Sequence, residues 1–428
     1  MKIQTLAASL FAAAAATAFL LSCGPMTSKG KTLTAPEHPT YYQDVAPILS
    51  ENCTGCHVAG SIAPFTLDTY DDAKLQAVGI KFETAARRMP PWGPQNTGTC
   101  KIWKDARWLS DIEIETLKRW ADDGAPAGTV AAIPTPAPTP ALAHVDATLD
   151  MAVSYTPQSA GGDVYRCFLA DPGITANTYI TGYHVMPGAR DIVHHVIVYS
   201  VSDQGATEAA SKDALDAEPG YECFGTANVA GESWALAWAP GGDVGFYPAT
   251  TGVPLKAGQK VVMQVHYNLA AGSKADQTRI DLQLDSTVTR PAYIVPVLDN
   301  NFSLAKGTGM ASDSVTYALA QLPVNAVTLW GLAPHMHLLG RAAAVSTTHA
   351  NGQEECLLDQ PHYDFRWQQL YQYDAPITLI QSDSIKVTCT WDTTNAVNDP
   401  TTWGENTNDE MCIAVAYITA GPAPTPAP

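Results

Sequence analysis

Three histidine groups and one cysteine-histidine motif carry the chemistry in this sequence. His194 and His195 stand side by side in DIVHHVIVYS, His266 lies in MQVHYN, and His335 and His337 bracket a methionine in GLAPHMHLLG. All three segments are apolar and strand-like. Side chains alternate between faces along a strand, so His335 and His337 share a face while Met336 points to the other, into the core. Adjacent His194 and His195 would diverge on a regular strand, which predicts a bulge or binding through different ring nitrogens. Neutral imidazole suits zinc, copper, iron and nickel, whereas a thioether selects for cuprous copper. The late segment NDEMCIAVAYI offers Met411 beside Cys412. Gln264 and Asn268 lie on the same face as His266 and are expected to orient its ring.

CTGCH, at Cys53 to His57, is the attachment pattern of a c-type haem. Two thiols add to the haem vinyl groups, and the next residue is placed to become an axial iron ligand. A redox disulfide would want a strand-to-helix context and zinc a second ligand pair nearby; neither is present. Met89 in ARRMPPW is the expected other axial ligand, on a loop stiffened by two prolines; the plain alternative is a packed core residue. The stretches YYQDVAPILSENCTGCH, MPPW and WADDGAP resemble small bacterial mono-haem cytochromes c. His/Met ligation closes the iron coordination and raises the potential, which suits electron transfer.

The elements that must position these groups fall into blocks. Met1-Lys2 precedes the apolar run AASLFAAAAATAFLL, and Leu20-Leu21-Ser22-Cys23 resembles a bacterial lipobox. This predicts a signal peptide over 1–22, lipidation of Cys23, a tether over 23–36, and attachment by lipid alone. An exported outer-membrane lipoprotein facing the periplasm or the outside follows. The block 37–128 reads as a small all-α cytochrome c domain. In LSDIEIETLKRWADDGAP, Ser110 and Glu113 form a capping box, Ile114, Leu117, Trp120 and Ala121 form an apolar stripe, and Gly124 with Pro126 stops the helix. Residues 129–143 are a proline-rich linker. Short runs rich in Val, Ile, Thr and Tyr follow, broken by Gly, Pro and Asn. They predict an all-β region of two antiparallel, jelly-roll-like β-sandwiches, 144–288 and 289–420. The tail 421–428 repeats the linker composition and is expected to be disordered.

The net charge of -18 excludes nucleic acid as a partner, since a polyanion needs a basic footprint. Of the nine cysteines, Cys23, Cys53 and Cys56 are spoken for. The remaining six, in an exported chain, read as up to three disulfides.

HHVIVY, QVHYN, HMHLLG and DEMC, in this order, resemble the copper type II, ascorbate-dependent monooxygenases. The resemblance implies that His194, His195 and His266 hold one copper in the first sandwich, and that His335, His337 and Met411 hold another in the second. It further implies that the first copper stores and passes an electron while the methionine-ligated copper binds O2 and attacks a substrate C-H bond. The implied cofactors are two copper ions beside one haem c, with an external reductant that is ascorbate-like or a redox protein. The implied partners are O2, a small-molecule substrate and an electron donor to the haem. The same resemblance pairs Cys167 with Cys223 and Cys389 with Cys412. Cys100 and Cys356 remain, one in each domain, and are expected to join across them.

Two positions depart from the peptide-amidating members of that family. Ala333 stands where they hold a substrate carboxylate with arginine, and Val415 where they place a tyrosine. A glycine-extended peptide is thereby disfavoured and a more apolar substrate favoured. Tyr417, Trp330 and Trp403 are expected either to line the pocket or to be plain core. The fused haem is the other departure, and it is expected to feed electrons to the copper of His194, His195 and His266. The competing readings are a non-catalytic electron-transfer or copper-handling lipoprotein and an adhesive surface protein whose histidines are structural.

Overall fold

The computed structural model describes residues 34–424 apart from 60–62, 134, 136–139, 160–161, 240–243, 270–271, 366, 405 and 407. The signal segment, Cys23, most of the tether, part of the proline-rich linker and the last four residues of the tail lie outside the described residues. No helix among the described residues is long and apolar enough to cross a membrane.

The N-terminal block is helical, with α-helices at Ala46–Asn52, Tyr70–Leu75, Ala77–Ala85 and Asp111–Asp122 after a short π-helical turn, Tyr41–Val45. The last helix begins as its sequence dictates. Ser110 Oγ accepts from Glu113 N, and the Glu113 carboxylate accepts from Ser110 N at 2.7 Å. Leu117 and Trp120 are fully buried against Tyr41, Val45 and Leu49, and Gly124 ends the helix at a φ of +80°.

This block does not keep the whole of 37–128 to itself. Trp92 and Trp103 are buried in the core of the second sandwich, with Trp103 stacked on Tyr373 at 4.7 Å. Gln95 N donates to Asp359 O and Lys104 N to Gln372 O, and the Cys100–Cys356 disulfide closes the same seam. The segment between the third and last helices is thus a strap on the β region, anchored by two tryptophans buried in the second sandwich's core.

In the first sandwich a five-stranded sheet, ordered Tyr221–Glu222, Asp163–Ala170, Val261–Asn268, Val193–Ser200, Ser233–Trp238, packs on the strands Ala147–Asp150, Arg279–Asp285, Thr178–Met186 and Thr251–Leu255. An α-helix, Asp203–Leu215, is inserted here; its pattern is too weakly amphipathic to stand out in the sequence. In the second sandwich, the sheet Met310–Ala318, Ser384–Asp392, Gly340–Thr348, Glu354–Gln360 packs on Arg290–Asp299, Cys412–Ala420, Ala326–His335 and Tyr371–Ile380.

The expectation of two purely antiparallel, separate sandwiches needs one correction. Thr251 and Gly252 pair in parallel with Arg290 and Pro291, fusing one layer of each sandwich into a single nine-stranded sheet. Trp330 and Tyr417, from the second sandwich, consequently join the first sandwich's core. Tyr417 stacks on Tyr247 at 4.6 Å and its hydroxyl meets Thr251 Oγ1 at 2.9 Å, while Trp330 Nε1 donates to Thr419 Oγ1. Both are core at this junction and not pocket lining. Trp403 is part-buried against the second core.

Candidate metal centres

The first centre is assembled on two neighbouring strands of the five-stranded sheet. The ladder between Val193–Ser200 and Val261–Asn268 slips between Val193 and His195, so that His195 pairs with His266 and His194 is the extra residue. That bulge turns two adjacent imidazoles toward one point. The ligating atoms of His194, His195 and His266 all lie within 4.8 Å of one another. Nδ1 of His195 is 3.3 Å from Nδ1 of His194 and 3.4 Å from Nδ1 of His266. Two nitrogens bound to one metal at about 2.0 Å stand roughly 3.3–3.5 Å apart, so this donor set fits a single ion.

The ring of His266 is fixed from behind. It stacks on Tyr165 with centroids 4.0 Å apart, and its Nε2-H donates to Asp163 Oδ1 at 3.0 Å. A carboxylate there selects the tautomer whose Nδ1 lone pair faces the centre. Asn268 Nδ2 also donates to Asp163 Oδ1, so it acts on His266 through that carboxylate. Gln264 does not serve His266: its amide donates to Thr226 O and Cys223 Sγ, bracing the loop at the Cys167–Cys223 disulfide.

The second centre lies where strand Ala326–His335 leaves its partner Cys412–Ala420. His335 is opposite Ile413 in the ladder, so two further residues along each chain bring His337 beside Met411. Met411 and His337 are both buried, and Met336 is fully buried on the opposite side in the core. His335 Nδ1-H donates to Gln368 Oε1 at 2.5 Å and His337 Nδ1-H to Asp409 O at 3.1 Å. Each ring therefore keeps an Nε2 lone pair for a ligand, which with the Met411 thioether makes a donor set suited to cuprous copper. The Cys389–Cys412 disulfide anchors the residue next to Met411.

Glu410 organises this corner. One carboxylate oxygen accepts from His337 N at 2.9 Å, Trp391 Nε1 at 2.9 Å and Met411 N at 3.3 Å; the other accepts from Leu339 N at 2.6 Å. It is fully buried, and burial pushes its pKa up to about 7 against the pull of those donors. Burial likewise keeps the imidazoles neutral. His194 and His335 are pushed down to about 3, His195 well below its ordinary value, and His266 and His337 are lowered despite acceptors that oppose the shift. Neutral imidazole is the form that binds a metal.

One ring touches a histidine of each group. Phe365 stacks on His194 with centroids 4.6 Å apart and meets His337 edge-on at 5.9 Å. Asp163, Glu410, Phe365 and Gln368 were not singled out from the sequence. Glu410 alone carried a signal, since it precedes Met411 in DEMC; the other three reach the sites only through tertiary contacts.

In the helical block, Cys53 and Cys56 are both free thiols, and burial pushes Cys53 up to about 12. His57 is buried, with its Nδ1-H donating to Phe65 O at 3.0 Å, which leaves Nε2 as the free ring nitrogen. Two reduced thiols and an oriented histidine fit covalent haem attachment. Met89 is 41 % exposed, so it is not a packed core residue.

These features define two candidate metal-ligand groups on fused β-sandwiches. Residues 149–274 match the N-terminal domain of the copper type II ascorbate-dependent monooxygenases and residues 293–420 match their C-terminal domain. The chain belongs to that family across its β region. It is 23% identical over 295 residues to a tyramine beta-hydroxylase of Caenorhabditis briggsae, covering 66% of this chain and 47% of the relative. It is 22% identical over 296 residues to a dopamine beta-hydroxylase of Rattus norvegicus, covering 64% and 46%. The chain thus spans about half the length of the curated relatives it matches.

Proposed function

We propose that this chain is a haem-fused dicopper monooxygenase that hydroxylates a C-H bond of a small, largely apolar organic molecule with O2. One observation carries the reading: His194, His195 and His266 converge on one point, and Phe365 touches both His194 of that group and His337 of the second, in a chain of this family. Bound copper would supply one electron at each centre and the activation of O2, matching the two electrons that insertion of one oxygen atom requires. The protein's own groups hold the imidazoles neutral, fix their tautomers through Asp163, Gln368 and Asp409 O, and clamp the Met411 backbone through Glu410.

The substrate class follows from the wall beside the second centre. Ala333 and Val415 are direct partners in the ladder, two residues along from His335 and Ile413 and on the same face. The two departures from the peptide-amidating pattern therefore fall on one spot and leave it apolar. An aromatic amine, as the names of the relatives suggest, fits better than a peptide carboxylate. For the helical block, the reading is a c-type haem on Cys53, Cys56 and His57 with Met89 as second ligand, delivering electrons from an external donor. For the N-terminus it is export and lipid attachment at Cys23 to the outer membrane.

The test is turnover of copper-loaded protein under 18O2 with a panel of phenethylamines, apolar aromatics and glycine-extended peptides. One 18O atom in the product of a non-peptide substrate is expected. Oxygen consumption with no labelled product from any member would favour the electron-transfer or copper-handling reading.

A further inference from the structure

Met336 joins the two histidines of the second centre, yet it lies one residue past the end of strand Ala326–His335 and past the last pair of its ladder, His335 with Ile413. His335 and His337 share a face only while Met336 stays extended. A side chain holds its backbone in place of a strand. Tyr363 Oη accepts from Met336 N at 2.9 Å and donates to Met336 O at 2.5 Å. One hydroxyl, with a proton to give and lone pairs to receive, thereby makes both bonds that a residue of a partner strand would exchange. Tyr363 is buried, so either bond is costly to leave unmade. Gly340 makes room for this contact, since a Cβ there would stand 2.8 Å from Met336 Cβ and 3.0 Å from Tyr363 Cδ1.

The same short stretch, between strands Glu354–Gln360 and Tyr371–Ile380, also reaches the histidine rings. Gln368 Nε2 donates to Phe365 O at 2.7 Å, which orients the carboxamide so that its Oε1 faces His335 Nδ1. The Phe365 ring in turn stacks on His194 at a tilt of 24° and meets His337 edge-on. A displacement of Phe365 would therefore move its carbonyl as well, and with it the amide that holds His335.

We propose that Tyr363, Phe365 and Gln368 act as one positioning clamp on both groups of ligands. Tyr363 sets the alignment of His335 with His337 through Met336, Gln368 sets the His335 ring, and Phe365 ties the second group to His194 of the first. This rests on the copper reading of the two groups. All three are positioning residues.

The test is copper retention in chelator competition, together with cupric EPR, on the full copper-loaded chain. Tyr363→Phe removes only the hydroxyl, and retention at the second centre is expected to fall about 10–100-fold with the EPR signal of the first unchanged. Phe365→Leu is expected to shift the EPR parameters of both centres, and Phe365→Tyr, which keeps the ring, to restore them; this pair decides the matter if Tyr363→Phe does not fold. Wild-type retention in Tyr363→Phe, or a change in Phe365→Leu confined to one centre, would overturn the proposal. A wild-type chain that binds no copper would instead overturn the copper reading. The clamp is then read in metal-free protein by long-range 1H-15N NMR of the histidine rings: Tyr363→Phe is expected to move the His335 and His337 signals, and unmoved signals would overturn it.

Discussion

Glu410→Gln is the perturbation that interrogates the second centre without touching a ligand. In the wild type four N-H groups, those of His337, Leu339 and Met411 and the Trp391 indole, converge on one carboxylate. Glutamine is nearly isosteric. Its carbonyl can keep the oxygen site that serves three of the donors, but its amide nitrogen then confronts the Leu339 N-H, which sits 2.6 Å from the present oxygen. One charge-assisted bond is lost, worth about 1.5–3 kcal/mol, and the three that remain become bonds to a neutral acceptor. Relief of the buried charge, seen in the raised pKa of Glu410, offsets part of this. A net loss of about 2 kcal/mol is expected at a pH above 7, where the wild-type carboxylate is ionised. Denaturant unfolding measures it. Because the same carboxylate fixes the backbone of His337 and Met411, copper retention at the second centre should fall about 10–100-fold in chelator competition, with the first centre unchanged. Unfolding and copper retention both indistinguishable from wild type would refute the organising role of Glu410.

Asp163→Asn should weaken copper retention at His194, His195 and His266 by about 10–100-fold and spare the other centre, since Asp163 accepts from His266 Nε2; site-resolved EPR of the cupric protein reads this. Removing the disulfide between strap and sandwich with Cys100→Ser and Cys356→Ser should cost about 5 kcal/mol by loop-closure entropy, because the two cysteines are 256 residues apart; calorimetry measures the drop. Asp216, hydrogen-bonded to Arg166, has its pKa lowered to about 2. A carboxyl depressed on folding contributes stability above its unfolded pKa and loses it as pH falls through the folded value. Asp216→Asn should therefore destabilise by about 2 kcal/mol at neutral pH and by little near pH ~2, as pH-dependent unfolding will show.

The sequence singled out the candidate ligands more readily than their supports. Period-two spacing put His335 and His337 on one face, and the clash between adjacency and alternation at His194 and His195 left either a bulge or different ring nitrogens, of which the ladder shows the bulge. The capping box at Ser110 was legible because it is local. The second layer of the sites was not, since Asp163, Gln368 and Phe365 owe their place to strands and loops far away in sequence. Gln264 illustrates the limit: alternation put it on the right face, but a neighbouring loop carbonyl captured its amide. Trp92 and Trp103 likewise sit in a stretch that reads as helical-domain sequence, and only competition between two cores decides where they are buried.

Copper stoichiometry in paired single-site variants tests the central claim most directly. Elemental analysis of dialysed protein should give two copper ions per chain in the wild type, one in His335→Ala and one in His266→Ala, with the copper-sulfur signature of the reduced protein in X-ray absorption lost in Met411→Leu. Unchanged copper content in both histidine variants, or a copper-sulfur signature that survives Met411→Leu, would contradict the account.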